Sequence, residues 1–184
     1  IWYHSIMNTQ ARLFLLLFTV LFAQNSIRAL DPGRPFSLKR HTVWTVEDGL
    51  PMNSVIAIAR TRDGYLWLGT EAGLARFDGL EFEIFSHENT SELANDLILS
   101  LLGDRDNGLW IGTRGGGLNR FNTDTARAVS FTHSKDNPRS LNSNFIMSIH
   151  LQETEPGTIW VGTDGGGVSR AFLPEPNDEN PELK

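Results

Sequence analysis

Short apolar runs separated by polar turns follow one another along most of the chain. Residues 54–61 (SVIAIART) are apolar on both faces, and they lead through the turn Arg62-Asp63-Gly64 into a second such run over 65–70. Short two-sided apolar runs predict strands that are buried between two layers. A third strand is predicted over 74–77. The alternation of polar and apolar residues over 81–85 predicts an outer strand with one face in water.

This pattern occurs three times. Each copy has a tryptophan, an aliphatic residue and Gly-Thr, followed by an arginine nine or ten residues after the tryptophan. The repeated positions are Trp67, Gly69, Thr70 and Arg76; Trp110, Gly112, Thr113 and Arg120; and Trp160, Gly162, Thr163 and Arg170. The tryptophans are 43 and 50 residues apart, and a period of this size indicates a repeat array or a propeller. Repetition predicts structural roles, with tryptophans packed between layers and arginines bonded between neighbouring sheets.

Counting the predicted strands gives the architecture. Residues 36–46 match the fourth-strand position of a preceding unit, and the third copy ends after its third strand near Leu173. The sequence therefore predicts an all-β fold, a partial β-propeller of about three four-stranded blades over residues 30–173. Propellers close with about four to eight blades, so we expect an amino-terminal fragment of a larger ring. A β-solenoid is a weaker alternative, because its coils are usually shorter.

The two ends of the chain differ from the repeats. Residues 13–23 (LFLLLFTVLFA) form eleven uncharged, mostly apolar residues after a short basic leader. A helix of that length is about 16 Å long, too short for a hydrocarbon core of about 30 Å. Residues 1–29 are thus predicted to be upstream sequence plus a secretory signal peptide, helical and cleaved after Ala29. Residues 174–184 are rich in proline and acids and are predicted to be a tail or linker.

The composition excludes several classes of functional site and partner, but it does not identify the function. The 184 residues include 16 basic and 22 acidic side chains, for a net charge of −6, and no cysteine. Zero cysteines exclude disulfides, thiolate metal sites and cysteine nucleophiles. The acidic balance argues against nucleic acid as a partner, because binding phosphates requires clustered Lys and Arg. A cysteine-free acidic domain suits the periplasm, where thiols are oxidised.

Three segments carry a family resemblance: 44–55 (WTVEDGLPMNSV), 63–79 (DGYLWLGTEAGLARFDG) and 106–121 (DNGLWIGTRGGGLNRF). They resemble the two-component regulator propeller repeat, which forms the exported sensor region of bacterial hybrid histidine kinases and membrane-bound diguanylate cyclases. The resemblance implies a periplasmic sensor whose parent is an inner-membrane receptor, anchored through carboxy-terminal regions outside this sequence and able to form a homodimer. Kinase or cyclase activity is implied only for that parent.

The glycine runs and acidic turns do not predict cofactor sites. Glycines 115–117 and 165–167 have no following helix or lysine, as a phosphate cradle requires, and they recur with the strands. Asp104, Asp106 and Gly108 lack the regular ligand spacing and the terminal glutamate of a calcium loop. We therefore predict hairpin turns at these positions, and no cofactor.

Histidines do not predict a metal or catalytic site either. His87 and His133 each follow an aromatic residue by two positions, one repeat apart, so they do not converge on one atom. We predict no metal and no catalytic residue, and we interpret both histidines as polar loop residues.

Positions that vary within the constant repeat are free to contact a ligand. After Gly-Thr the three copies place Glu71, Arg114 and Asp164, on the rim that is predicted to hold the long polar loops. Recognition is common on such loops, so we predict a polar small molecule or a glycan here. The leading interpretation is a non-catalytic sensory module. The alternatives are a propeller enzyme of the polysaccharide lyase or glycosidase type and a self-assembling propeller scaffold.

Overall fold

The computed structural model describes residues 41–155 and 157–172 of the 184-residue chain. They form eleven strands and one short 3-10 helix, all in the compact unit that begins at Val43. Among them, no helix has the length and apolar character needed to cross a lipid bilayer. The predicted signal peptide and the 174–184 tail lie outside the described residues. The bounds are the 3-10 helix Val46–Asp48, β1 Val55–Arg60, β2 Leu66–Thr70, β3 Gly73–Phe77, β4 Phe82–Phe85, β5 Ile98–Gly103, β6 Gly108–Thr113, β7 Leu118–Asn122, β8 Arg127–Phe131, β9 Ile146–Leu151, β10 Thr158–Thr163 and β11 Gly167–Phe172.

Three antiparallel sheets follow one another along the chain. The first sheet has the order β1-β2-β3-β4, the second β5-β6-β7-β8 and the third β9-β10-β11. Strand β5 contacts β1 on one side and β9 on the other, so the innermost strands of successive sheets are neighbours. This arrangement confirms the all-β, propeller-type fold and the four-stranded blades that the repeats predict.

The turns between the first and second strands of the first two sheets use aspartate side chains. Asp63 accepts hydrogen bonds from the hydroxyl of Thr61 and from the backbone N–H of Tyr65. In the next sheet, Oδ1 of Asp104 accepts from the backbone N–H groups of Asp106 and Gly108, at 2.8 and 2.7 Å. An aspartate that bonds the backbone ahead of it stabilises a tight reversal of the chain, so these residues are turn formers, as predicted.

Apolar side chains from adjacent sheets meet in two buried layers. The layer between the first and second sheets contains Trp67, Leu74 and Phe85 on one side and Ile111 and Phe121 on the other. The corresponding layer between the second and third sheets contains Trp110, Leu118, Phe131, Ile146, Ile159 and Val161. Complete burial of each such side chain contributes about 1.5–3 kcal/mol. Burial between sheets therefore provides much of the folding free energy.

Two predictions about strands were wrong. Strand β1 is not buried on both faces, since Ile56 and Ile58 are exposed. The reason is that the second sheet covers only one face of the first. Residues 41–45 form no strand, and the 3-10 helix begins at Val46, so the fourth strand expected over 36–46 is absent from the described part of that range.

Candidate functional site

The repeated tryptophans are packing residues. Trp67 and Trp110 are fully buried between sheets. Trp67 meets Phe121 of the next sheet edge to face, with ring centroids 5.6 Å apart. Such an aromatic pair contributes about 0.5–1.5 kcal/mol beyond its area. Trp160, on the far face of the third sheet, is only partly buried.

The glycines of the first two repeats make room for the following sheet. A Cβ placed on Gly69 would lie 2.6 Å from Cγ2 of Ile98, the first residue of β5. One placed on Gly112 would lie 2.7 Å from Cγ2 of Ile146, the first residue of β9. Carbon atoms in contact prefer about 3.5–4.0 Å. The glycines are therefore required by the close approach of the next inner strand.

The threonine of each repeat closes the turn that follows it. Its hydroxyl donates to the carbonyl of the glycine that ends the turn: Thr70 to Gly73 at 2.9 Å, Thr113 to Gly117 at 3.0 Å, and Thr163 to Gly167 at 2.9 Å. Gly73 and Gly117 have φ values of 123° and 74°, a region that favours glycine. The Gly-Thr pair thus fixes the backbone on which the variable residues stand.

The repeated arginines bond within their own sheets. The sequence predicts bonds between neighbouring sheets, and this prediction was wrong. Arg76 pairs with Glu83 on β4, Arg120 with Asp104 at 2.8 Å, and Arg170 with Glu155. Each guanidinium also lies over the tryptophan of its own repeat, with centroid distances of 5.7–5.9 Å. Because each guanidinium lies over the tryptophan of its own repeat, the arginine side chain runs along its own sheet. It therefore reaches a carboxylate of the same sheet.

The hydrogen bonding of the tryptophan indole nitrogens differs among the three copies. Nε1 of Trp67 donates to the Thr61 hydroxyl at 2.9 Å, and Nε1 of Trp160 donates to Oε1 of Gln152 at 2.7 Å. In the second sheet the matching side chain is Asp104, which bonds Arg120 instead. Among the described residues Nε1 of Trp110 is therefore buried without a partner.

The three variable residues lie on one rim of the sheets. We call this the lead-in rim, because it also holds the lead-in loops 86–97 and 132–145, which run into β5 and β9. The backbone N–H of Arg114 donates to the carbonyl of Leu97 at 3.0 Å, and that of Asp164 donates to the carbonyl of Phe145 at 2.9 Å. The predicted proximity of turns and loops is therefore present.

The side chains of Glu71, Arg114 and Asp164 are exposed to solvent. Within residues 41–155 and 157–172, none of the three makes a side-chain hydrogen bond or an ion pair, either with each other or with a neighbour. They stand on successive sheets and present charges of alternating sign. Their charged groups are therefore accessible to solvent on the lead-in rim.

Two histidines hold the lead-in loops, a role that the sequence analysis missed. Nδ1 of His87 lies 3.0 Å from the carbonyl of Leu93, and Nδ1 of His133 lies 2.7 Å from that of Leu141. A carbonyl only accepts, so in both rings Nδ1 carries the hydrogen. The repeated spacing of aromatic residue and histidine was the signal that could have revealed this role.

The opposite rim carries an open groove of about 420 Å³, lined by Arg62, Asp63, Arg105, Asp106 and Asn107. These residues form the β1–β2 and β5–β6 turns, at the other end of the strands from Arg114. The side chain of Arg62 donates to the backbone carbonyl of Arg105 at 3.4 Å. The groove therefore joins the turns of two sheets, and no feature of the sequence indicated it.

The Asp78 carboxyl has a pKa below its ordinary value. Backbone N–H groups of Glu81 and Leu80 donate to Asp78 and lower the pKa of its carboxyl. Asp78 lies in the β3–β4 turn, also opposite to the lead-in rim. Within the part of the chain that the structure describes, no three His, Asp or Glu side chains are arranged to hold a metal ion.

Comparisons with known proteins agree with this geometry. A family model described as the two component regulator propeller matches residues 49–72 and 92–115, each of which spans one lead-in segment and the first two strands of a sheet. No curated protein matches the chain at a significant level.

Two of the solved structures of similar fold are extracellular domains of bacterial proteins. One belongs to a B. thetaiotaomicron protein assigned as a hybrid two component system. It is 27% identical with a TM-score of 0.67, over 71% of this chain and 18% of that one. A second B. thetaiotaomicron protein with the same assignment is 24% identical, with a TM-score of 0.53, over 65% of this chain and 16% of that one. The second likeness concerns the fold alone. The chain spans less than a fifth of either structure.

Proposed function

We propose, from the premise that this chain carries repeats of the two-component regulator propeller family, that its sheets form the exported, ligand-binding part of a bacterial transmembrane signalling receptor. The matched repeats and the extracellular neighbour at 27% identity support a sensory module outside the cytoplasm. We place it in the periplasm. Catalytic output belongs to other parts of the parent receptor, and the module itself is not an enzyme.

One observation carries this proposal. In the first two repeats the tryptophan, glycine, threonine and arginine all serve packing, turn bonds or ion pairs within the sheets, whereas Glu71, Arg114 and Asp164 are exposed and unbonded within the described residues. The repeated residues thus form a constant scaffold, and the exposed residues on the lead-in rim differ from one repeat to the next. This division is suited to a protein that presents different polar groups on one scaffold, with recognition on the loops.

The class of ligand follows from the groups offered. The rim presents a guanidinium between two carboxylates, together with polar loops that contain serine, asparagine and lysine. Such groups suit a hydroxyl-rich molecule that carries negative charge, such as an acidic glycan, with Arg114 binding its carboxylate. Binding changes the output only if the ligand prefers one arrangement of the receptor, for example one arrangement of a receptor homodimer.

The test uses binding and signalling together. The purified chain is titrated calorimetrically with an acidic oligogalacturonide and with a neutral maltooligosaccharide. We expect binding of the acidic sugar only, and we expect Arg114→Glu to weaken it at least about tenfold, or about 1.4 kcal/mol. Arg127→Glu is the matched control, since Arg127 is exposed at the start of β8, away from the lead-in rim.

The same two variants are then placed in the full receptor and read with a transcriptional reporter. Arg114→Glu should reduce the response to the acidic sugar, and Arg127→Glu should not. An unchanged response with Arg114→Glu would contradict the proposal. Release of shortened sugars during incubation with the chain alone would favour the enzyme alternative instead.

A further inference from the structure

The groove at the rim opposite to the lead-in rim is lined by matching residues of two turns. Arg62 and Asp63 stand in the β1–β2 turn. Arg105 and Asp106 stand at the same positions of the β5–β6 turn, since each arginine lies two residues beyond the end of its inner strand. The groove lies between the first and second sheets, both of which are described with four strands. Its lining therefore does not depend on the outward faces of the first and third sheets.

Both turns are held in place by bonds of the fold itself. Oδ1 of Asp63 accepts hydrogen bonds from the Thr61 hydroxyl and from the backbone N–H of Tyr65. The hydroxyl of Thr123, which follows β7, lies 2.8 Å from the carbonyl oxygen of Asn107 and 3.5 Å from Oδ2 of Asp63. It thus stands between the two turns. A groove whose walls are already ordered loses less conformational entropy when it binds a ligand.

The charged groups of the groove are not used equally by the fold. The Asp63 carboxylate is bonded within its turn. Among the described residues, the side chains of Arg105 and Asp106 make no hydrogen bond and no ion pair. Arg62 makes one long bond, of 3.4 Å, to the carbonyl of Arg105, although a guanidinium has five N–H donors. Two guanidiniums and one carboxylate therefore remain for a molecule in the groove.

Asn107, which also lines the groove, has features that packing does not explain. The matching positions of the first and third sheets are Gly64 and Gly157, and the three residues have φ values of 54°, 99° and 84°. Glycine is favoured in this region. In addition, Oδ1 of Asn107 is buried without a hydrogen-bond partner among the described residues, which is unfavourable. The fold alone thus favours glycine here, and a partner for the amide in the groove accounts for the asparagine.

We propose that this groove binds a small zwitterion, a free α-amino acid. Its carboxylate contacts Arg62 and Arg105, as guanidinium groups bind carboxylates. Its ammonium group contacts Asp106, and a second of its three hydrogens pairs with Oδ1 of Asn107 when that amide turns toward the groove. A ligand with a single charge would be attracted by part of the lining and repelled by the rest, whereas a zwitterion complements both signs. The groove volume of about 420 Å³ lies in the range of about 300–1,000 Å³ of small-molecule sites.

The groove is separate from the ligand site proposed on the lead-in rim. Arg105 and Arg114 lie at opposite ends of β6, in the turns before and after that strand. An amino acid in the groove and a glycan on the lead-in rim can therefore be bound by one chain together. Binding in the groove does not depend on which ligand Arg114 binds.

The experiment titrates the full chain with three related probes. L-Glutamine carries both charges, N-acetyl-L-glutamine carries only the carboxylate, and L-glutaminamide carries only the ammonium group. Calorimetry gives the affinities, and amide chemical shifts locate the site. We expect L-glutamine to bind at least about tenfold more tightly than either analogue, with shift changes over residues 62–65 and 104–108.

Two substitutions remove one charge each from the groove. Arg105→Gln and Asp106→Asn should each weaken the binding of L-glutamine at least about tenfold, because each removes one of the two ion pairs with the ligand. Arg139→Gln and Asp136→Asn are the matched controls. They remove the same charges from exposed positions of the lead-in loop 132–145, and they should leave the affinity unchanged.

Asn107→Gly separates binding from folding. Glycine is found at this position in the other two sheets, and the substitution removes an unpaired buried oxygen. The variant should therefore be at least as stable to urea as the unsubstituted chain and should still bind L-glutamine more weakly, whereas a purely structural role would change stability alone. Absence of L-glutamine binding, equal affinities for the three probes, or undiminished binding by Arg105→Gln or Asn107→Gly would overturn the proposal.

Discussion

Ile98 lies directly over Gly69, so that a methyl group on this glycine would be 2.6 Å from Cγ2 of the isoleucine. The first residue of one inner strand thereby fixes the residue type in the middle of the preceding sheet. The same pairing joins Ile146 to Gly112. The repeat glycine is therefore determined by a contact between sheets.

Substitution of this glycine should show whether a neighbour is present. We expect Gly112→Ala to destabilise the folded chain by about 1–3 kcal/mol, because the added methyl group overlaps Ile146. Gly162→Ala is the matched control, since both glycines face a serine of their own sheet and only Gly112 faces an isoleucine. The measurement is urea denaturation of both variants and of the unsubstituted chain. Equal losses for the two variants would contradict this explanation.

The pair formed by Asp104 and Arg120 should contribute more than the other two arginine pairs. The Asp104 side chain is 6% exposed and also accepts two backbone hydrogen bonds, whereas Glu83, the partner of Arg76, is 55% exposed. Removing one partner of a buried pair strands the other charge, whereas exposed pairs contribute about 0–1 kcal/mol.

We therefore expect Asp104→Asn to cost about 2 kcal/mol and Glu83→Gln less than about 1 kcal/mol. Thermal and urea unfolding of both variants provide the comparison. If Glu83→Gln proved the more costly substitution, the Asp104–Arg120 pair would not be the more stabilising of the two ion pairs.

His133 should stabilise its lead-in loop through Nδ1. His133→Ala removes the bond to the carbonyl of Leu141 and is expected to cost about 1 kcal/mol, with faster amide exchange over residues 134–144. His133→Asn keeps a donor near the position of Nδ1 and should recover part of the loss. Nitrogen NMR should show the hydrogen on Nδ1. An unprotonated Nδ1, or equal losses for both variants, would argue against this role.

The lowered pKa of Asp78 predicts how the stability of the folded chain depends on pH in acid. Hydrogen bonds from the backbone N–H groups of Glu81 and Leu80 hold its pKa below the ordinary value of 3.8. The charged form is thus favoured in the folded state, and its stabilising contribution is present above pH 3.8 and is lost as the pH falls through the lower folded pKa. Asp78→Asn should reduce the loss of stability in that window. An NMR titration giving a pKa of 3.8 or higher for Asp78 would refute the prediction.

The strands were predictable because the repeats place turn formers such as Asp63 and Gly64 between apolar runs, and local chemistry decides such turns. The partners of the arginines were not predictable, because Glu83, Asp104 and Glu155 share no spacing from Arg76, Arg120 and Arg170. Only the stacking over each tryptophan is constant, and it depends on side-chain direction.

The rim could be predicted only as a location. The sequence indicated that Glu71, Arg114 and Asp164 share one end of the sheets, because each follows the same Gly-Thr pair. It did not indicate the groove at Arg62 and Arg105, since that groove depends on how far apart two turns of successive sheets lie.

The central claim is that each repeat is one sheet, and that the next sheet packs through an isoleucine onto its glycine. A double-mutant cycle with Gly69→Ala and Ile98→Ala, measured by urea denaturation, tests it most directly. The account predicts that Ile98→Ala relieves part of the loss caused by Gly69→Ala, with a coupling of about 1 kcal/mol or more. Additive losses would mean that the two residues do not touch, and the stacked arrangement would be contradicted.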